Sequence, residues 1–356
     1  MNGREEDAAV RSAPPRRGSL PLKLLGALLL ASLLAAAMGA GYLYHALNKP
    51  LSFHDRTYRI ESGDSLAKFA RTLQQGGVIG EPISLRILGR IEGAGGRIDV
   101  GEYRFADGIN LQQLLEQVVS GQGQVLLPLL VVEGWTFRQF REQLRKAPRL
   151  EQTVADLDDA ALMEELGHSE QNPEGRFYPD TYSYLPGDTD ISILQRAYDL
   201  MTEKLKASWQ ARDEDLPLES PYEALVLASI VEKETAVGAE RPRIAGVFVN
   251  RLRRGMLLQT DPTVIYGVIS GLGDKFDGNL TRKHLRTDTP YNTYTRKGLP
   301  PTPIALPGEA AIEAVLHPDE TEALYFVARG DGAHAFSRTL REHNNAVRKY
   351  QLGGKK

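Results

Sequence analysis

Ala228-Ser-Ile-Val-Glu-Lys-Glu-Thr235 ends an apolar helical run on two carboxylates, and the rest of its domain must pack around that run. Ser220, Pro221 and Glu223 open the helix with a serine N-cap, a proline at the first position and a glutamate that predicts a capping box. Val226, Leu227, Ile230 and Val231 follow with almost no polar interruption, so this helix must be buried on most sides. At about 100° per residue, Glu234 falls on the stripe of Leu227, Ile230 and Val231. Glu232 points the opposite way, with Leu225, Ala228 and Ser229, so the two glutamates do not pair. A carboxyl beside an apolar wall keeps its proton more easily, because desolvation penalises the anion. Glu234 is therefore the candidate general acid. The competing expectation is an ion pair with Arg241, Arg243 or Arg251. Glu232 and Lys233 read as a solvated or structural pair without chemistry.

Downstream, Ile244, Val247, Phe248 and Leu252 predict another helix, stopped by Gly255. Gln259, Thr260 and Asp261 follow where the chain can line a cleft, and Pro262 opens a further helix. Tyr291, Asn292 and Tyr294, with the Gly298-Leu-Pro-Pro-Thr-Pro303 segment, form a rigid loop of ring, amide and hydroxyl groups suited to binding sugars. Leu324–Ala328, the Gly330-Asp-Gly332 turn and His334–Phe336 read as a hairpin, closed by a helix with His343 and Asn344.

Upstream, Ile191 to Trp209 is an amphipathic helix, and Leu150 to Gly167 is acidic and helical. Asn172 to Tyr184 cannot be a regular helix because of its prolines and glycine. Its aromatics, with Asp180 and Thr181, suit either the wall of a sugar cleft or a core-packing loop. Val125 to Val132 reads as a buried strand, and Thr136 with Gln139 as a capping box for a helix through Arg145. Thr57 to Ala70 reads as strand, Gly-Asp turn and helix, with Asp64 or Ser65 as N-cap and Leu66, Phe69, Ala70 and Leu73 on one face. Gly101–Phe105 and Asn110 to Val119 give a second strand and helix, and Gly121-Gln-Gly123 is the expected hinge.

The chain has 356 residues and a formal net charge of −3, which gives no basic field for nucleic acid. No cysteine is present, so disulfides, a cysteine nucleophile and thiolate metal sites are excluded. Seven scattered histidines without an H-x-x-x-H pair predict no metal, and no motif calls for a cofactor. From Leu24 to Tyr44 no side chain is charged, a length that crosses a bilayer. Arg11, Arg16, Arg17 and Lys23 precede it, which places the first residues in the cytoplasm and the rest outside. A cleaved signal peptide is the alternative, though the apolar run is longer than such peptides use.

The Gly63-Asp-Ser-Leu66 turn resembles that of a LysM-type glycan-binding module. Together, VEGWTF (132–137), EGRFYPDTY (174–182), ASIVEKET (228–235), the run from Glu240 to Gly267, YNTY, GLPPTPI and HNNAV resemble the endolytic murein transglycosylase family, the YceG-like proteins. The likeness covers about Arg56 to Tyr350. It implies an α+β fold: a cytoplasmic tail (1–23), one inner-membrane helix (24–46), a LysM-like subdomain (47–123) and a larger periplasmic catalytic domain (124–352). It also implies that Glu234 is catalytic, and that peptidoglycan strands are cut with formation of 1,6-anhydro ends, beside peptidoglycan synthases and penicillin-binding proteins. Gln259, Asp261, Tyr291, Asn292, Tyr294, Asp180 and Thr181 are the candidate substrate-binding residues. A membrane-anchored peptidoglycan-binding protein without catalysis is the alternative. A penicillin-binding acyl transferase is suggested only by Ser65-Leu-Ala-Lys68, without the companion motifs of that class.

Overall fold

The computed structural model describes residues 22–272 and 280–353. The expected cytoplasmic tail, with Arg11, Arg16 and Arg17, lies outside the described residues. The fold is mixed α+β, in two compact units, Met1–Val125 and Leu126–Lys356.

The first unit begins with the apolar helix α1 (Leu22–Asn48), which contains an 18-residue stretch of mean hydropathy 2.1. The chain then runs β1 (Thr57–Ile60), α2 (Leu66–Gln75), α3 (Pro82–Ile91), β2 (Gly101–Arg104) and α4 (Leu111–Ser120). The strands pair antiparallel, Thr57 opposite Arg104 and Ile60 opposite Gly101. Ser65 caps α2 by accepting the Lys68 N–H, and Leu66, Phe69, Ala70 and Leu73 are the residues it buries. Lys68 pairs with Asp64 at 2.6 Å, so the S-x-x-K match is a helix start with its ion pair. Helix α3 was not legible behind the glycines of Gly76–Gly80, although Pro82 at its first turn is a start signal. Gly121 ends α4 in the left-handed region (φ 73°). The chain stays on β2 afterwards, since Arg104 N–H donates to the Gly123 carbonyl and Val125 N–H to that of Glu102.

The second unit runs β3 (Leu127–Leu130), α5 (Phe137–Lys146), α6 (Asp159–Glu165), β4 (Thr181–Tyr184) and α7 (Asp190–Ala211). It continues with α8 (Pro221–Glu234), α9 (Arg241–Arg253), α10 (Asp261–Leu272), α11 (Arg282–Arg286) and α12 (Glu309–Leu316). It closes with the hairpin β5 (Tyr325–Ala328) and β6 (His334–Ser337), then α13 (Leu340–Val347). One core joins α7, α8, α9 and α12, and another joins β3, α5, α6, β4 and α7. Helix α8 is the axis of the first of these, with every residue from Ala224 to Val231 buried.

Two local expectations change, and one open alternative is decided. The capping box of α8 is half formed: Ser220 accepts the Glu223 N–H, but the Glu223 carboxylate turns to the N–H of Glu219 instead. The strand expected to be buried from Val125 to Val132 is half-buried. Leu129 and Val131 face the core, whereas Leu126, Leu130 and Val132 are exposed, because the β3–β4 ribbon has one packed face. The aromatics of the Glu174 loop line no open wall, since Phe177, Tyr178, Tyr182 and Tyr184 are all buried. They are core residues, with Phe177 stacked on Phe137 at 4.8 Å.

Candidate active site

The last turn of α8 presents Glu234 to the segment that joins α9 to α10. There the Thr260 hydroxyl donates to the Glu234 carboxylate. Thr260 is itself buried and held from several sides. Its N–H donates to Thr293 Oγ1 (3.1 Å), and its carbonyl accepts from Thr263 Oγ1 (2.8 Å). Thr263 and Thr293 share a hydroxyl contact of 2.9 Å. Gln259, at φ 50°, lies in the left-handed region that costs a non-glycine residue roughly 1 kcal/mol. The turn it makes lets its N–H reach the Thr293 carbonyl (3.1 Å) and points Thr260 inward. Its own side chain is exposed.

Burial pushes the Glu234 carboxyl above its ordinary range, and the negative charge of Asp261 pushes the same way. The Thr260 hydrogen bond and the charges of His334 and Arg251 oppose them without prevailing. Among the described residues Glu234 makes no ion pair, because the three arginines are engaged elsewhere. Arg241 pairs with Glu232 at 2.9 Å, and Arg243 lies over the Phe336 ring at 4.3 Å. Arg251 is buried and donates to the carbonyls of Leu258 and Leu324, both at 2.7 Å. Glu232 thus pairs with Arg241 and also accepts the Gly308 N–H (3.2 Å), while Lys233 donates to the Gly134 carbonyl (3.1 Å). His334, which sequence reasoning passed over, meets Glu240 at 2.7 Å.

The candidate binding residues separate into groups. Asp261 is exposed and accepts the Tyr294 hydroxyl at 2.6 Å, beside Glu234. Burial, that bond and the charge of Asp261 raise the Tyr294 phenol, so it remains a donor. Tyr291 is half-buried, edge-on to Tyr266 at 4.9 Å, with its hydroxyl 2.9 Å from Thr302 Oγ1. Asn292 is fully buried and does not meet a ligand directly. Its amide donates to the Thr287 carbonyl (2.7 Å) and its oxygen accepts the Tyr294 N–H (2.9 Å), so it shapes the loop that carries Tyr294. Asp180 and Thr181 are exposed at the start of β4, and no hydrogen bond among the described residues ties them to the Glu234 cluster.

The second unit also holds a groove of about 650 Å³, lined among others by Thr136, Gln139, Glu174, Lys233, Pro262 and Tyr266. Lys233 and Pro262 are the chain neighbours of Glu234 and Asp261, which do not themselves line the groove. A smaller pocket of about 330 Å³ lies at the other end of α8, by Pro221 and Tyr222. Glu174 is a second buried carboxyl, which accepts from Phe137 N–H (2.9 Å) and from the Tyr266 hydroxyl (3.0 Å). Burial raises it to about 7 against those bonds. The spacing of Thr260 and Thr263 was a usable signal for the hydroxyl cluster, whereas nothing local marks Thr293.

The YceG-like family model matches residues 58–349. The chain belongs to the YceG-like family. The endolytic murein transglycosylase of Bacillus subtilis is 31% identical over 333 residues, covering 88% of this chain and 91% of that one. That of Streptococcus pneumoniae is 25% identical over 355 residues, covering 89% of this chain and 63% of that longer protein. A crystal structure of a YceG-like protein from Listeria monocytogenes matches with a TM-score of 0.50 and 29% identity, over 83% of this chain and 99% of that one.

Proposed function

We propose that this YceG-like chain is an endolytic murein transglycosylase, a lyase acting on peptidoglycan, with Glu234 as its acid. The observation that carries this reading is a desolvated carboxyl, unpaired by any arginine among the described residues and held by the Thr260 hydroxyl, with its chain neighbour Lys233 lining a groove. Glu234 protonates the glycosidic oxygen of the β-1,4 bond between N-acetylmuramic acid and N-acetylglucosamine as that bond breaks. As carboxylate it then takes the proton of the muramoyl 6-hydroxyl, whose oxygen closes on the anomeric carbon. No water enters, and the product carries a 1,6-anhydro ring. An ordinary glycosidase sets a second carboxylate about 5–9.5 Å away as nucleophile or base. Asp261, engaged by Tyr294, acts instead by its charge, which favours the acid form of Glu234 and the cationic sugar of the transition state.

Helix α1 anchors the chain in the inner membrane, with the arginine-bearing residues before it in the cytoplasm and everything after about His45 in the periplasm. The first unit serves as a LysM-like module. Its strand, helix, helix, strand order with β1 antiparallel to β2 supports that reading. Action on nascent strands beside peptidoglycan synthases and penicillin-binding proteins completes the proposal.

The test is digestion of purified glycan strands by the full chain in detergent, with product mass as readout. Wild type should yield ends one water lighter than reducing ends, and Glu234→Gln should lose roughly 10²–10⁴-fold in rate. Reducing ends from wild type point to a hydrolase. Strands retained but uncut point to the binding protein without catalysis.

A further inference from the structure

The first unit carries an apolar stripe that its own core does not use. On α3, Ser84, Leu85, Leu88 and Gly89 face that core and are buried. Ile83, Ile87 and Ile91, by contrast, are 45%, 38% and 68% exposed. At about 100° per residue these three form one flank of the outer face, and the exposed Arg86 and Arg90 form the other. Single exposed isoleucines need no explanation, but a contiguous stripe rimmed by cations marks a surface made to be covered.

Helix α1 identifies what covers it. Its side chains from Leu24 to Tyr42 are exposed, and only Leu43, Ala46 and Leu47 among the described ones are half-buried. Leu47 packs on the core of this unit, and Cα atoms of α1 come within 8 Å of those of α3 and of α4. The contact is therefore made by the last turns of α1, where the uncharged run ends at Tyr44 and Lys49 follows. The headgroup layer is about 5–8 Å deep on each side of a bilayer's hydrocarbon core. A helix held that close to the end of a span lies within it.

We propose that α3 is a membrane-surface helix, with Ile83, Ile87 and Ile91 in the boundary between headgroups and acyl chains and Arg86 and Arg90 on lipid phosphates. This rests on reading α1 as a membrane span. Exposed Lys49 and Arg97 add to the attraction for anionic lipid. The acidic Glu81 and Glu92 cap the two ends of α3 and leave its outer face clear. The first unit is then fixed in height and tilt on the bilayer.

The chain has no cysteine, so single spin labels can be placed without other changes. The full chain is reconstituted in bilayers containing anionic phospholipid, with a label at Ile87→Cys, Ile83→Cys, Leu33→Cys in α1 or Gln75→Cys in α2. Accessibility to dissolved oxygen and to a water-soluble nickel chelate is compared. Labels at 33, 83 and 87 should favour oxygen, and the label at 75 should favour nickel. A lipid-immersed label at 33 with labels at 83 and 87 as wet as that at 75 overturns the docking of α3 and leaves the span intact. A wet label at 33 removes the span, and this proposal with it. Arg86→Glu with Arg90→Glu should lift the label at 87 out of anionic bilayers but not out of neutral ones. Equal depth in both overturns the phosphate contact.

Discussion

Thr260 and Asp261 act on Glu234 in opposite senses, the hydroxyl favouring the anion and the carboxylate favouring the acid, while burial outweighs both. Thr260→Val should therefore move the alkaline limb of the pH profile of kcat/KM to higher pH. It should also cost roughly tenfold in kcat, about 1.4 kcal/mol, through lost orientation. Asp261→Asn should move the same limb to lower pH. Limbs that move together would contradict the electrostatic account. Glu174 offers a separate check through stability. Its folded value of about 7 stands above the ordinary 4.5, so folding holds its proton more tightly. The resulting stability is complete below the unfolded value and is lost as pH rises through the folded one. At about 1.4 kcal/mol per pH unit, the loss is about 3 kcal/mol. Denaturant melts from pH 4 to 9 should show wild type falling by about that much relative to Glu174→Gln.

At the scale of elements, α8 is held at its catalytic end by a junction with α9 and α12. Glu232 in its last turn pairs with Arg241 at the start of α9 and accepts the N–H of Gly308, which caps α12. Both charged side chains are largely buried, so removing one leaves the other uncompensated. Arg241→Met should destabilise the second unit by about 3–5 kcal/mol in denaturant melts. Gly246 on α9 makes a second close junction, since a Cβ there would stand 2.6 Å from the Asp319 carbonyl oxygen. Gly246→Ala should cost about 1–3 kcal/mol in the same assay, because backbone cannot yield as a side chain does.

At the scale of the whole molecule, the two units have separate cores: one built from Leu51 to Val118, the others from residues beyond Leu126. Units with their own cores melt as cooperative blocks. A chain cut to 126–352 should therefore keep a sharp thermal transition that the full chain also shows. A broad melt of that fragment would argue against an independent catalytic unit.

The linear chain alone determined the apolar span, the amphipathic faces and the helix caps, because these follow from local periodicity and nearby hydrogen bonds. Leu66, Phe69, Ala70 and Leu73 share a face at helical spacing, and Thr136 with Gln139 is a complete local signal. Helix phase likewise separated Glu234 from Glu232 before any fold was known. The partners of these groups were set by packing across the chain. Thr260 reaches Glu234 across 26 positions and Thr293 reaches Thr260 across 33, and no local pattern encodes such contacts. Burial of the aromatics around Tyr182, the withdrawal of Asn292 from the surface and the diversion of three arginines from Glu234 depend equally on which faces pack. That choice belongs to the assembled core, where each polar group must find a partner once water is excluded.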